Sequence, residues 1–440
     1  MKQPSFSQNE VLHYPKATTK TSQPHFDNEF MKRAAIPCFK PEVVPPPSPC
    51  ESYNDDLVLG CFTKNDLTWA GTQKKGTSPM IEHSLDYLDH IRQACAKNFP
   101  LSADVELPQE INDSLDWLMS TDNETIITFW DEQLAKLEYL VQECHQAQEH
   151  WFTATPLAIK GAQSRFQAVA FHQLLHHFGL GGKNWIRQFI FGFPTTGFLS
   201  QTGIFPASPK AKPPLPTTAI WRSSLKRFRE RSRSSGLRNA EALWAEATAQ
   251  VKEGWLSPPA VFSANGDIEF FPQGATNAAF RFGVSQGSKL RACDDLRHNM
   301  TNLCTSILTP ITLPTWDHLA QMAKIAHLTN RNWDFLKGDH ASAYKQLPLG
   351  PKYANLSVVT LRDPKTNKWN GFTPKVLLFG AVSAVLRYNC FSRSLAVLIN
   401  RMFGIPLVSY FDDFGSFCPA ELAPKALSVF QKQQKSLNPT

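Results

Sequence analysis

The sequence predicts an α+β protein in which a mostly helical first half gives way to short strands joined by turns. Two observations carry this. Apolar residues recur at helical spacing between Ser78 and Trp151 and again from Ala162 to Phe178, whereas after residue 275 short β-branched and aromatic runs alternate with turn signals. A third bounds it: 440 residues, 42% hydrophobic and 11% aromatic, suffice for a real core and exclude a chain that is disordered throughout. Lys and Arg exceed Asp and Glu, 45 against 38, a net charge of +7 that permits a polyanion partner without demanding one.

Nine cysteines stand singly with no C-x-x-C pair, which argues against a zinc ribbon or a disulfide framework and favours a reducing compartment. The most apolar long stretch, Val376 to Leu386, is far shorter than the ~18 residues that span a bilayer. The start, MKQPSFSQNE, has no apolar signal core. The expectation is an intracellular protein of cytoplasm or nucleus, neither secreted nor held by a membrane.

Residues 1–60 are polar and include Pro45-Pro46-Pro47-Ser48-Pro49, which predicts a disordered arm. Residues 61–205 read as a helical domain of unknown role. In it Leu85, Leu88, Ile91 and Cys95 share one helix face, and Thr121 with Glu124 forms a capping box before a helix carrying Phe129, Leu134, Leu137, Leu140 and Val141. The helix from Ala162 to Phe178 stops at Gly179. Residues 206–238 form a linker: five prolines between Pro206 and Pro216, then the basic run Trp221 to Arg238, a solvated face or a phosphate-tracking segment.

A helix is predicted from Asn239 to Gly254. Ala278 to Val284 and Lys289 to Cys293 flank the turn Gln286-Gly287-Ser288, and Asn355 to Leu361 and Lys368 to Thr373 flank Asp363-Pro364-Lys365, giving two hairpins. Trp333 to Asp339 reads as a strand ending in an acid. A helix from about Val382 to Phe403 ends at Gly404, and the strands Ile405 to Tyr410 and Gly415 to Cys418 surround Asp412-Asp413.

The carboxylates suggest chemistry. Phosphoryl transfer to a hydroxyl uses two divalent cations ~4 Å apart on oxygen ligands, and the protein supplies two or three carboxylates from separate strands. Asp339 at a strand end and Asp412-Asp413 at a hairpin tip meet this need if their strands adjoin in one antiparallel sheet. An Asp-Asp pair alone says little, since Asp55-Asp56 and Asp294-Asp295 are also present.

The context of the pair is more specific. Tyr410-Phe411-Asp412-Asp413 resembles the Y-x-D-D motif of the reverse transcriptase family. Asp339 through Pro348, with Tyr344 five residues after the acid, resembles the family's first palm motif. Phe379-Gly380-Ala381-Val382-Ser383-Ala384 is similar to the Phe-Gly turn that opens its next helix, and Lys289 to Arg297 is similar to its basic fingers segment. The four blocks fall in the family's order over about residues 265 to 420. Their wording is similar to retrotransposon-type reverse transcriptases, such as those abundant in dinoflagellates.

The resemblance implies the fingers and palm of a right-hand polymerase over residues 239–440, with an antiparallel palm sheet and helices. It implies Asp339, Asp412 and Asp413 as catalytic residues holding two Mg²⁺ ions, or Mn²⁺ in their place. Lys289 and Arg291 would grip the triphosphate, Tyr344 would exclude a ribose 2′-hydroxyl, Phe379 and Gly380 would border the nucleotide, and Tyr410 and Phe411 would contact the primer. Partners would be an RNA or DNA template, a primer and deoxynucleoside triphosphates. Val385 stands where the family commonly has Pro. With the chain ending at Thr440, the expectation is a truncated polymerase whose thumb is absent. Two rivals stay open: an RNA-dependent RNA polymerase, against which Tyr344 argues, and an inactive retroelement relic that only binds nucleic acid.

Other signals read as ordinary structure. His172 and His176 lie at i, i+4 without a third ligand nearby. Gly179-Leu180-Gly181-Gly182 lacks the Lys-Ser/Thr ending of a phosphate loop, and Ser200 lacks a nucleophile elbow.

Overall fold

The computed structural model describes residues 29–34, 105–163, 166–181, 183–199, 201–205, 213–217, 220, 239–261, 277–287 and 289–437. The helical part comprises α1 (Glu29–Ala34), α2 (Gln109–Ser120), α3 (Asn123–Glu143), α4 (His145–Ala154), α5 (Leu157–Gln163), α6 (Ala168–His177) and α7 (Lys183–Phe191), then a short strand β1 (Gly197–Leu199). There follow α8 (Ala240–Lys252), β2 (Ala260–Val261), β3 (Ala278–Gln286), β4 (Lys289–Asp294), β5 (Thr305–Ile307), α9 (Trp316–His327) and β6 (Trp333–Asp339). The last stretch holds a 3₁₀ turn (Ala343–Gln346), α10 (Pro351–Ala354), β7 (Val358–Arg362), β8 (Trp369–Phe372), α11 (Val382–Phe403), β9 (Leu407–Tyr410), β10 (Asp413–Pro419) and α12 (Ala423–Leu437). The fold is α+β.

Its strands form an antiparallel sheet in the order β6-β10-β9, a mixed five-stranded sheet β2-β8-β7-β3-β4 in which β3 and β7 run parallel, and the parallel pair β1-β5. β10 is buried along nearly its whole length because both its faces are covered. Phe414 meets Phe430 of α12 at a ring distance of 5.2 Å, and on the opposite face a side chain at Gly415 would come within 3.2 Å of Leu319 on α9. Gly338, opposite Phe414 in the ladder, has the same cause: a Cβ there would lie 2.9 Å from Phe430.

α11 is buried on nearly all sides and lies in the centre of the molecule, although it carries Ser383, Arg387, Asn389, Ser392, Ser394 and Asn400 among its apolar residues. It stops as expected at Gly404, whose φ of 63° is left-handed and whose place a Cβ would crowd, 2.4 Å from Trp117. Its last turn is tied down by the Trp130 indole N–H, which donates to the Phe403 carbonyl at 2.6 Å, and by Asn400, whose side chain bonds both the amide and the carbonyl of Leu407. α1, α2, α3 and α6 pack around it, and α12 packs in turn on α3, so the main hydrophobic core of the described residues runs from Ala34 to Leu437.

Several expectations change in detail. Inside the arm expected to be disordered, Glu29–Ala34 is helical, with Ala34 buried and Phe30 stacked 5.2 Å from Trp117. The capping box at Thr121 and Glu124 does not form: Thr121 closes α2, and Asp122 caps α3 by accepting the Thr125 amide at 2.9 Å. A capping box forms instead at Thr315 and His318, opening α9. The stretch expected as one helix from Ala162 falls on two: Ala162 lies in α5, and α6 starts at Ala168 and ends, as expected, before Gly179, whose φ is 65°. The Leu85–Cys95 face, Pro45 to Pro49, Asp55-Asp56, Ser200 and the basic run Trp221 to Arg238 lie outside the described residues. Among the described residues no helix is long and apolar enough to cross a membrane.

Candidate active site

β6 and β10 run antiparallel with Asp339 directly opposite Asp413, and β10 pairs on its other side with β9, where Tyr410 also faces Asp413. Phe411 and Asp412 are therefore a two-residue hairpin loop. A tight hairpin needs a left-handed residue there, and Phe411 supplies it at φ 53° without being glycine. The loop after Asp339 holds a second such residue, Ser342 at φ 58°. Strained turns of this kind cluster at functional sites, and both acid-bearing turns have one. The two are joined by the His340 amide, which donates to the Asp412 carbonyl at 2.9 Å.

The carboxylates repel. Burial, then the charge of Asp412, then that of Asp413 raise the pKa of Asp339, and Lys337 only partly offsets this. Lys337 Nζ lies 3.2 Å from Asp413 Oδ1 with both side chains about half exposed, a weak pair. Beneath the acids, the Tyr388 hydroxyl of α11 shares a 2.9 Å hydrogen bond with His340 Nδ1. Burial, followed by the charges of Asp412 and Asp339, raises the Tyr388 pKa, and burial pushes the His340 imidazole down to about 4, so both are neutral near pH 7.

A cleft of about 300 Å³ opens beside Asp412, lined also by Tyr344, Phe379, Arg291, Lys345 and Glu246. Tyr344 is held edge-on to Tyr388 at 5.3 Å and tilted against Phe379 at 5.6 Å, and its pKa is raised by burial and by Asp412. Phe379 is 40% exposed, a large apolar group left at the cleft wall. Gly380 has φ 110°, and a Cβ on it would lie 2.3 Å from the Asp294 carbonyl, so the close approach that requires glycine here is to the chain's own fold. Asn302 completes this junction, donating to the Gly380 carbonyl and accepting the Val382 amide at the start of α11.

Of the residues singled out from the sequence, Asp412, Tyr344, Phe379 and Arg291 share the cleft, and Asp339 and Asp413 adjoin it through the sheet. Tyr410, 54% exposed, packs edge-on to Phe411 at 5.1 Å, and neither is among the residues lining the cleft. Lys289 begins β4, and its side chain lies outside the described residues. Hard oxygen donors with mutual repulsion are the chemistry a divalent cation relieves, so Asp339 and Asp412 fit one, with Asp413 as a third donor once it leaves Lys337. Among the described residues no three His, Cys, Asp or Glu side chains are already gathered into a cage. The rings of His172 and His176 are 6.4 Å apart.

Sequence reasoning missed a buried chain of polar groups along the cleft floor. Arg281 donates through Nε and Nη2 to the two oxygens of Asp294 at 2.8 and 3.0 Å, and through Nη1 to Gln250 Oε1 at 2.9 Å. A usable signal existed: a two-residue loop at Gly287 and Ser288 pairs Gln286 with Lys289, and counting back along the hairpin places Arg281 opposite Asp294. No known protein-family model matches the chain, and no curated protein is significantly similar to it in sequence.

Proposed function

We propose that the protein is an RNA-directed DNA polymerase of the reverse transcriptase type, belonging to a retroelement, that extends a primer 3′-hydroxyl with deoxynucleotides. The observation that carries the reading is the register of β6 and β10, which sets Asp339 against Asp413 and puts Asp412 at the mouth of a cleft lined by Tyr344, Phe379 and Arg291. In this reading residues 239–437 are fingers and palm, with β6-β10-β9 as the palm sheet and the β3-β4 hairpin as part of the fingers.

Asp339, Asp412 and Asp413 would hold two Mg²⁺ or Mn²⁺ ions, which when bound lower the charge repulsion between the attacking oxygen and the phosphate. Arg291, exposed on the hairpin, and Lys289 would draw in the triphosphate. Tyr344, packed against Tyr388 and Phe379, would meet a 2′-hydroxyl and so select the deoxy sugar by bulk. His340 and Tyr388, both neutral, support the acid turns without adding charge.

Primer extension on RNA and DNA templates, with deoxynucleotides and ribonucleotides compared, tests this. Extension should require the divalent ion and fall about 10²-fold or more in Asp412→Asn. Tyr344→Val should raise ribonucleotide use relative to deoxynucleotide about tenfold. Near wild-type extension by Asp412→Asn would sink the reading, and a wild-type preference for ribonucleotides would make the enzyme an RNA polymerase.

A further inference from the structure

The cleft floor contains a continuous chain of polar contacts that runs from Lys345 to Asp294. Lys345 Nζ lies 3.9 Å from Glu246 Oε1 and 5.0 Å over the Trp255 ring. Glu246 Oε1 in turn accepts from Gln250 Nε2 at 2.8 Å, and Gln250 accepts from Arg281, which is locked to Asp294. Gln250, Arg281 and Asp294 are all buried, and each is fixed by the next. Glu246 is thus a carboxylate held in place from behind, on a helix, α8, that carries none of the residues assigned to chemistry above.

The charges facing the cleft nearly cancel. Arg281 is committed to Asp294 by two short hydrogen bonds, so among the described residues lining the cleft Arg291 and Lys345 are the cations open to an anionic ligand. Glu246 faces one of these two. The pair is loose at 3.9 Å, with Lys345 about a quarter exposed and Glu246 about a third, so it is far from the close, desolvated geometry of a committed ion pair. Lys345 has four flexible methylenes and can change partner, whereas Glu246, gripped by Gln250, cannot follow it. Burial also lowers the Lys345 pKa, with Glu246 opposing, so the ammonium gains from any added anion.

We propose that Glu246 is an internal competitor for Lys345, and that a polyphosphate entering the cleft takes Lys345 from it. The inference rests on the reading of this cleft as the place where a nucleoside triphosphate sits. Helix α8 then sets the strength of substrate binding: Glu246 lowers affinity for the phosphate chain, and with it the tendency of the released pyrophosphate to linger.

Calorimetric titration of the full chain with inorganic tripolyphosphate tests this without requiring catalysis. Glu246→Gln keeps the acceptor for Gln250 and removes the charge, and should tighten binding about fivefold. Lys345→Met keeps the stem over Trp255 and should weaken binding about tenfold. In the Lys345→Met background, Glu246→Gln should lose most of its gain, because the gain acts through the lysine. A gain in affinity cannot arise from misfolding, so the first variant stays informative even if the second is unstable. An unchanged or weakened affinity in Glu246→Gln, an equal gain in both backgrounds, or no measurable tripolyphosphate binding by wild type and Glu246→Gln alike would overturn the proposal. Primer extension read in parallel separates the two ideas. The binding pattern without extension would defeat the polymerase reading alone, and extension with unaltered affinities would defeat this one alone.

Discussion

The protein carries the same dipeptide in two hairpin regions and treats it in opposite ways. At Asp294-Asp295 the first acid is buried and met by a guanidinium with two hydrogen bonds, and the second accepts the His298 amide at 2.9 Å within a turn. At Asp412-Asp413 the ion pair found among the described residues is with the half-exposed Lys337, and Asp339 brings further negative charge from the neighbouring strand. A buried carboxylate with its own arginine is a structural part. Carboxylates gathered with little to neutralise them are poised for something that arrives from outside, and the residue types alone would not have told the two apart.

The sharpest way to break this comparison is to remove the cation from the first region. Arg281→Met leaves Asp294 buried without its partner and should cost about 3–5 kcal/mol in urea unfolding, with much of the loss recovered in Arg281→Met with Asp294→Leu. A smaller effect is expected where the first region meets α11. Gly380→Ala must fit a side chain at φ 110° against the Asp294 carbonyl, and should destabilise by about 2 kcal/mol, read as a lower urea midpoint.

The smallest effect has the opposite sign. The raised pKa of Asp339 means that the folded state holds this proton more tightly than the unfolded chain does. Its ionised form therefore opposes folding, and stability is lost as pH rises through and above the ordinary value of 3.8. Asp339→Asn should accordingly melt a little higher than wild type at pH 7, with the difference gone by about pH 3. A lower Tm at pH 7 would show that the acid cluster is stabilised by contacts in the fold and is no different in kind from Asp294.

Much of the second half was legible because its signals are local. Strand, turn and strand are contiguous in both hairpins, and α11 ends at a glycine that its own backbone requires. That Asp339 would meet the acid pair followed from placing their strands side by side in one sheet. What escaped depended on distant partners. α12 has Val429, Phe430 and Leu437 at helical spacing but is diluted by lysines and glutamines, and its buried Gln433 hides the pattern. The α1 segment looks polar by itself and is helical where Phe30 finds Trp117. At Thr121-Asp122 two good cap residues are adjacent, and only the end of α2 at Thr121 decides between them.

The order of strands in the acid-bearing sheet has a consequence for how the chain is made. The central strand, β10, emerges about 80 residues after the edge strand β6 that it must pair with. At roughly 5–20 residues per second, β6 waits on the order of 4–16 seconds with its hydrogen-bonding edge and Phe335 uncovered. α3 waits longer still, since α12, which packs on it, arrives about 300 residues later. Contacts so far apart in sequence make for slow assembly and a long exposure of open strand edge. Slowing or pausing synthesis between Asp339 and Asp413 should therefore lower the yield of soluble protein more than the same pause placed before Trp333, where no strand of the sheet has yet been made.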